Sequence, residues 1–203
     1  MLAVTFGEEE AALLLLQRGA NATDLLHPGC HLLMFAAIHS CLRVMARVLF
    51  TGETEASTSC QGTMALHGAV VAGSLEAAKF LLDYGFNIEA RDHGVGWTPL
   101  MIACCGIIEE AMNGVEWTWS VRSKPTTLVR LLLDKGADIN AVARDKMTPL
   151  RVAISFKRFD VLRLLLEYGV KQDIKSRLWL LAHAKDLGLE VEKQDRAVKS
   201  SRA

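Results

Sequence analysis

The sequence predicts an all-α solenoid in which helix-turn-helix units stack side by side and are joined by short hairpin links. The first observation is a regular spacing of glycines, five of which are separated by 33, 33, 51 and 33 residues: Gly19, Gly52, Gly85, Gly136 and Gly169. The second is a leucine-rich stretch just before each of these glycines. Self-similarity at a fixed period of this size is the signature of stacked repeats that contact only their neighbours. We therefore expect a single domain over residues 1–187.

The first helix of each unit, which we call the inner helix, begins at a recognisable motif. Thr98 and Thr148 stand where a side-chain hydroxyl can accept a hydrogen bond from a free backbone amide. A proline follows each threonine at the first helical position, where a missing N–H costs nothing. Small residues then permit close approach of the neighbouring unit. Two further copies of the motif lack the threonine and the proline: His31-Leu32-Leu33-Met34-Phe35-Ala36 and Met64-Ala65-Leu66-His67-Gly68-Ala69.

A second helix, which we call the outer helix, follows each inner helix after a short turn and is dense in leucine. Its apolar runs are Leu13–Leu16, Val44–Leu49, Phe80–Leu82, Leu131–Leu133 and Leu164–Leu166. The regularly spaced glycines fall just past its end, where a residue in the left-handed conformation closes a helix without a Cβ penalty. Residues 87–92 and 138–144 are then predicted to be the hairpin links.

The complete motif occurs twice, in the same register as the glycines: Thr98-Pro99-Leu100-Met101-Ile102-Ala103 and Thr148-Pro149-Leu150-Arg151-Val152-Ala153. With this motif the chain resembles the ankyrin repeat family, over roughly residues 8–187. The resemblance implies about five repeats, at residues 8–25, 27–58, 60–91, 96–141 and 147–174. It also implies that His67, at the histidine position of the motif, ties its unit to the neighbouring one.

The two ends of the predicted stack differ from the interior. The first repeat shows only an outer helix, so it is either incomplete or has its inner helix replaced by something in residues 1–7. A last amphipathic stretch, residues 176–187, is predicted to cap the stack with apolar residues that face it, namely Leu178, Leu180, Leu181 and Ala184. Residues 188–203 are charged and have few large apolar anchors, so we expect a flexible tail.

One interval departs from the period. From Ala103 to Gly136 there are 33 residues, whereas the corresponding distance in the other units is 16. Seventeen residues have therefore been added between the inner and outer helices of the fourth repeat, within residues 106–126. Loops longer than about 12–15 residues in compact domains are usually functional or disordered, and this one is too apolar for plain disorder.

Composition excludes several classes of partner. The chain carries 23 basic and 23 acidic residues, so no net charge attracts nucleic acid or an anionic membrane. No apolar run approaches the ~18 residues of a spanning helix, which predicts neither membrane insertion nor export. The five cysteines are an odd number without C-x-x-C spacing, which favours a reducing compartment, the cytosol or the nucleus.

The resemblance implies that a ligand is met by hairpin tips and by inner-helix positions on the concave side of the stack. Carried across by register, these positions are unusually apolar here, and contiguous exposed apolar patches mark interaction sites. With two tryptophans of the insertion added, the predicted binding residues are Ile38, His39, Val71, Trp97, Cys105, Trp117, Trp119, Met147 and Phe156. We expect them to bind a peptide or protein segment, mainly by apolar contact, in a groove walled by the inserted loop.

Two alternatives stay open. The insertion can instead cover the same strip as an intramolecular lid. The groove can also hold a small hydrophobic metabolite, with His39 and Glu110 or Glu116 catalysing a proton transfer or a cofactor-independent rearrangement. No phosphate loop or other catalytic motif occurs, so the sequence favours binding over catalysis and predicts no cofactor.

No metal site is predicted either. His27, Cys30 and His31 form an H-x-x-C-H cluster that can be combined with Cys60, but a structural zinc site normally presents four ligands in closely spaced pairs. The proline-glycine turn within the cluster explains it equally well. The adjacent Cys104 and Cys105 are expected to be small buried residues rather than a redox pair.

Overall fold

The computed structural model of the chain describes residues 2–20, 32–50, 61–106, 125–183 and 187. Within these ranges every regular element is a helix and no strand is present, which confirms the predicted all-α class. In chain order the helices are α1 (Leu2–Thr5), α2 (Glu9–Gln17), α3 (Leu32–Ile38), α4 (Leu42–Phe50), α5 (Gln61–Val71), α6 (Leu75–Tyr84), α7 (Pro99–Cys105), α8 (Pro125–Asp134), α9 (Pro149–Ser155), α10 (Phe159–Glu167) and α11 (Ile174–Ala182).

The helices form two layers. The odd-numbered helices are the inner layer, in which α1 packs on α3, α3 on α5, α5 on α7, α7 on α9 and α9 on α11. The even-numbered helices from α2 to α10 are the outer layer and contact one another in the same sequential order. Each inner helix up to α9 also contacts the outer helix that follows it, so the molecule is a linear stack of helix pairs.

The core lies between the two layers and between successive pairs. Alanines on the inner helices, such as Ala36, Ala69 and Ala153, are fully buried and allow the inner helices to approach closely. Leucines on the outer helices, such as Leu132 and Leu162, are also fully buried and fill the space behind them. The sequence pattern of small inner residues and large outer residues is therefore the packing pattern of the fold.

The local signals at helix ends are confirmed. The hydroxyl of Thr98 accepts a hydrogen bond from the amide of Met101, and that of Thr148 accepts one from the amide of Arg151. Gly85, just past α6, has a φ of 101°, in the left-handed region that favours glycine. These contacts satisfy backbone groups that the helix itself leaves unpaired.

The beginning of the stack agrees with one of the two alternatives left open by the sequence, whereas its end departs from the expectation. At the beginning, the short helix α1 packs on α3, in the place of an inner helix. At the other end, α11 begins at Ile174, two residues before the predicted capping helix. Leu180 faces the stack as predicted, but Leu178 and Leu181 are exposed, which corrects the prediction that they face the stack. They lie on the side of α11 opposite Leu180, away from α9, the inner helix on which α11 packs.

Candidate functional site

Four of the predicted binding residues lie at the carboxyl-terminal ends of successive inner helices. Ile38 ends α3, Val71 ends α5, Cys105 ends α7, and Phe156 directly follows α9. Because these helices pack side by side in chain order, their ends form one row across the stack. We call these four residues the inner-helix row.

The turns that follow these helices hold the row in register. The hydroxyl of Ser40, after α3, hydrogen-bonds to that of Ser74, after α5, at 2.6 Å. Further along, Arg158 Nη1, after α9, donates to the carbonyl oxygen of Cys105 at 3.4 Å. The ends of adjacent inner helices are thus joined at both ends of the row.

Exposure varies along the inner-helix row. Val71 and Phe156 are 39% and 38% exposed, and Ile38 is half-buried because its side chain lies against Gly68 of the next inner helix. A Cβ on Gly68 would stand 3.0 Å from Ile38 Cγ1, so glycine is what lets the two helices meet there. Val71 and Phe156 are therefore the members of the row that present the most apolar surface.

Cys105 contributes little to this surface because it is only 8% exposed. The guanidinium of Arg158 covers this end of α7 so closely that any side chain at Gly106 would collide with it. Burial raises the pKa of the Cys105 thiol and, more strongly, that of the fully buried Cys104 thiol. The burial of both side chains agrees with the prediction that they are small buried residues.

Two other predicted binding residues, Trp97 and Met147, lie at the opposite ends of the inner helices. Each stands one residue before a capping threonine, in a hairpin link, and each is half-buried. The seven residues of α7 separate Trp97 from Cys105 by about 10 Å along the helix axis. The six apolar residues therefore form two parallel rows, with Trp97 and Met147 as the hairpin row.

Trp97 is held by four polar contacts, one of which is the hydrogen bond that its backbone amide donates to Asp92 Oδ1 at 3.2 Å. Its indole Nε1 donates to Asp145 Oδ2 at 3.0 Å, which connects it to the next hairpin. Its carbonyl oxygen accepts from the backbone amide of Asp92 and from His67 Nε2, both at 3.0 Å. A carbonyl can only accept, so His67 carries a proton on Nε2, and the predicted role of His67 in tying its unit to the next is confirmed.

Two arginines join adjacent hairpin links, and sequence reasoning did not find them. Arg91 Nη1 donates to the carbonyl oxygens of Gly96 and Val142. Arg144 Nη1 donates to the carbonyl oxygens of His93 and Gly94, and its backbone amide donates to Val95. The signal was a basic residue in each link, but the acceptors that join one link to the next are backbone groups about 50 positions away, which no side-chain pattern reveals.

Several predicted residues lie outside the described part of the chain. These are the tryptophans Trp117 and Trp119 and the carboxylates Glu110 and Glu116 of the insertion, which α7 and α8 flank. His39 is described: it stands in the turn after α3, half-buried, and its backbone amide donates to the carbonyl oxygen of Phe35. Of the three residues predicted for the catalytic alternative, His39, Glu110 and Glu116, the structure thus describes only His39.

A shallow cavity of about 300 Å³ lies between the last hairpin link and the segment that leads into α11. Its walls are Ile139, Asn140, Thr148, Val170, Lys171, Gln172 and Asp173. None of the predicted binding residues lines it. Among the residues that the structure describes, no three histidine, cysteine or acidic side chains come together as a metal site. Nor is any described helix both long and apolar enough to cross a membrane.

Models of a known repeat family match this chain. A model described as "Ankyrin repeats (3 copies)" matches residues 1–92 and 33–113, and one described as "Ankyrin repeats (many copies)" matches residues 120–166. These matches cover most of the helical stack.

Similar proteins carry different names. Human "Protein phosphatase 1 regulatory subunit 27" is 56% identical over 43 residues, 21% of this chain and 27% of that protein. Human "Ankyrin repeat and SOCS box protein 16" is 28% identical over 171 residues, 70% of this chain and 38% of that protein. "Probable 26S proteasome regulatory subunit p28" of Saccharomyces cerevisiae is 25% identical over 154 residues, 75% of this chain and 58% of that protein. The chain thus spans less than two thirds of the length of each of these relatives.

Proposed function

This chain belongs to the ankyrin repeat family, and on that premise we propose that it is a protein–protein interaction module. We propose that it binds a peptide or protein segment across the inner-helix row and the hairpin row. Two of the relatives are named as regulatory subunits, one of protein phosphatase 1 and one, as probable, of the 26S proteasome. Names of that kind support a role in binding other proteins.

The observation that carries the proposal is the exposure of Val71 and Phe156 at the ends of α5 and α9, the inner helices on either side of α7. Val71 and Phe156 are already about three fifths buried, so covering the rest of their surface stabilises a complex by roughly 1–2 kcal/mol before association costs are counted. Lys157, next to Phe156, is exposed, and no carboxylate of the described residues pairs with it. A surface ion pair contributes only about 0–1 kcal/mol, so apolar contact dominates the expected affinity.

We also propose that the insertion forms one wall of this groove, with Trp117 and Trp119 as contacts. Support comes from chain connectivity, because the chain enters the insertion at Gly106, between the helix ends that carry Val71 and Phe156. Replacing residues 107–124 with a turn as short as residues 72–74 distinguishes the two roles predicted for this segment, a wall of the groove and an intramolecular lid. Peptide affinity falls if the segment is a wall and rises if it is an intramolecular lid.

A peptide-display selection tests the main proposal. The full chain is used to select peptides, and their Kd is then measured for the wild type and for Val71→Glu with Phe156→Glu. Because a buried carboxylate is costly in an apolar contact, we expect the double variant to lose affinity by more than about tenfold. Trp97 is not changed, since its polar contacts make it part of the fold.

The matched control is Phe50→Glu, which places the same charge on an exposed phenylalanine at the last residue of α4. This variant is expected to keep the wild-type Kd. Selected peptides that bind the double variant as tightly as the wild type contradict the proposal.

The small-metabolite alternative has no comparable support. The cavity of about 300 Å³ lies away from the predicted binding residues, and the carboxylates of the catalytic alternative are outside the described residues. Catalysis therefore stays a prediction, as does location in the cytosol or nucleus.

A further inference from the structure

The last helix of the stack is apolar on two opposite faces. One face contains Leu180, which is buried against the stack. At 100° per residue, Ile174, Leu178 and Leu181 lie within an arc of about 60° on the other face. They are 80%, 62% and 44% exposed, and we call them the C-terminal face. A helix that is hydrophobic all round is normally covered on all sides.

The first helix pair also exposes apolar residues, at the opposite end of the stack, although Leu14 and Leu15 lie about 100° apart around α2. In α2 the leucines Leu13 and Leu16 are buried, whereas Leu14 and Leu15 between them are half-exposed. Leu2 and Phe6, at the two ends of α1, are also largely exposed. We call Leu2, Phe6, Leu14 and Leu15 the N-terminal face. Stacked-repeat proteins normally end in units with a polar outer side, which keeps the ends from associating.

The two end segments around these apolar faces carry opposite charge, and in each segment one charge is paired within the molecule, Glu10 with Arg43 of α4 and Asp173 with Arg151 of α9. Described residues 2–20 contain Glu8, Glu9, Glu10 and Arg18, a formal net charge of −2. Residues 171–183 contain Lys171, Asp173, Lys175 and Arg177, a formal net charge of +2 with histidine neutral. Lys175 and Arg177 lie on either side of the C-terminal face at helical spacing. The whole chain is neutral, so this asymmetry belongs to the ends.

We propose that the C-terminal face of one copy of this chain docks on the N-terminal face of a second copy. The contact places α11 of one molecule against α1 and α2 of the next and so continues the stack from one molecule to another. Apolar surface supplies the attraction, and the opposite charges fix which end meets which. Because the two faces differ, each molecule retains one uncovered end, and the contact generates open chains of molecules rather than closed dimers.

The test uses the full chain and two variants, each with one face disabled. The N-face variant is Leu14→Glu with Leu15→Glu, and the C-face variant is Leu178→Glu with Leu181→Glu. All four positions are exposed, so both variants are expected to fold, which circular dichroism and thermal unfolding verify. Average molar mass is measured by light scattering at roughly 200 µM, where a micromolar contact is formed.

The wild type is expected to show an average mass at least about twofold above that of the monomer, falling as salt is raised to about 0.5 M. Each variant alone is expected to be monomeric. An equimolar mixture of the two is expected to form a dimer and nothing larger, because only one intact face of each kind is available. Phe50→Glu, on neither face, is expected to assemble like the wild type.

Three results overturn the proposal. The first is a wild type that stays monomeric, as occurs when another protein or another segment covers these faces. The second is assembly that persists in either variant alone. The third is a mixture of the two variants that stays monomeric although each is folded. None of the substitutions touches the inner-helix row, so peptide binding is expected to be unchanged in both variants.

Discussion

Helices α9 and α11 occupy adjacent positions in the inner layer, yet their surroundings differ. Helix α9 is covered by α7 on one side and by α11 on the other, and Leu150, Val152 and Ala153 are all buried. Helix α11 packs on α9 and has apolar residues on two faces as well, but one of these faces, with Ile174, Leu178 and Leu181, is exposed. The comparison shows that the sequence of α11 suits a helix with neighbours on both sides.

The largest expected effect is a difference in the free energy of unfolding between a substitution in α9 and one in α11. Leu150→Ala, in α9, removes a fully buried side chain and is expected to lower the free energy of unfolding by about 2–5 kcal/mol. Leu178→Ala, in α11, removes an exposed one and is expected to change it by less than about 0.5 kcal/mol. Urea unfolding at low protein concentration measures both, and equal losses from the two substitutions contradict the comparison.

A smaller effect is expected at the start of an interior helix. Thr98→Ala removes the hydroxyl that accepts from the amide of Met101 and is expected to cost about 1 kcal/mol in the free energy of unfolding. Thr127→Ala is the matched control, since this threonine lies exposed within α8 and alanine is a good helix former. The capping role of Thr98 is wrong if its substitution is as harmless as that of Thr127.

The smallest effect is expected at the start of α11, where pH is the variable. The Ser176 hydroxyl, the Arg151 guanidinium and the Ser176 amide hold the pKa of the Asp173 carboxyl well below its usual range. A carboxyl whose pKa is lower in the folded than in the unfolded protein stabilises the fold at any pH above the unfolded pKa, which is about 3.9. As the pH falls below about 3.9, this stabilisation is progressively lost.

Hydrogen exchange of the α11 amides, compared at pH 6 and at pH 3, measures this loss. For each amide, the intrinsic exchange rate at that pH is divided by the measured rate, and the resulting protection factors are compared between the two pH values. Wild-type protection is expected to fall at pH 3, whereas Asp173→Asn, which still caps the helix but carries no charge, is expected to change less. Interior amides of α9 serve as the internal reference. If the α11 amides lose as much protection in Asp173→Asn as in the wild type, the Asp173 charge is not the cause of the loss.

Local features were the most predictable from sequence. The caps at Thr98 and Thr148 and the left-handed Gly85 depend on residues within one turn of the helix, so a short motif is enough to locate them. The stacking order followed from the period itself. These features decide the fold, which is why the all-α solenoid was predicted correctly.

The site was less predictable because it depends on neighbours distant in sequence. Cys105 was placed among the exposed binding residues, but Arg158 from the next pair covers it. Leu178 and Leu181 were assigned to the stack because they are apolar, whereas their orientation depends on which neighbours α11 has. Trp117 and Trp119 lie outside the described residues, so their predicted part in the groove stays a prediction.

The arginine contacts between the hairpin links have a consequence for the insertion. Arg91 and Arg144 connect residues 91–97 with residues 142–147 directly, at the end of the inner helices opposite Gly106. These contacts align the two flanking units through groups that lie outside the chain between α7 and α8. We therefore expect that the segment after Gly106 can be replaced by a foreign sequence while the helices on both sides keep their arrangement.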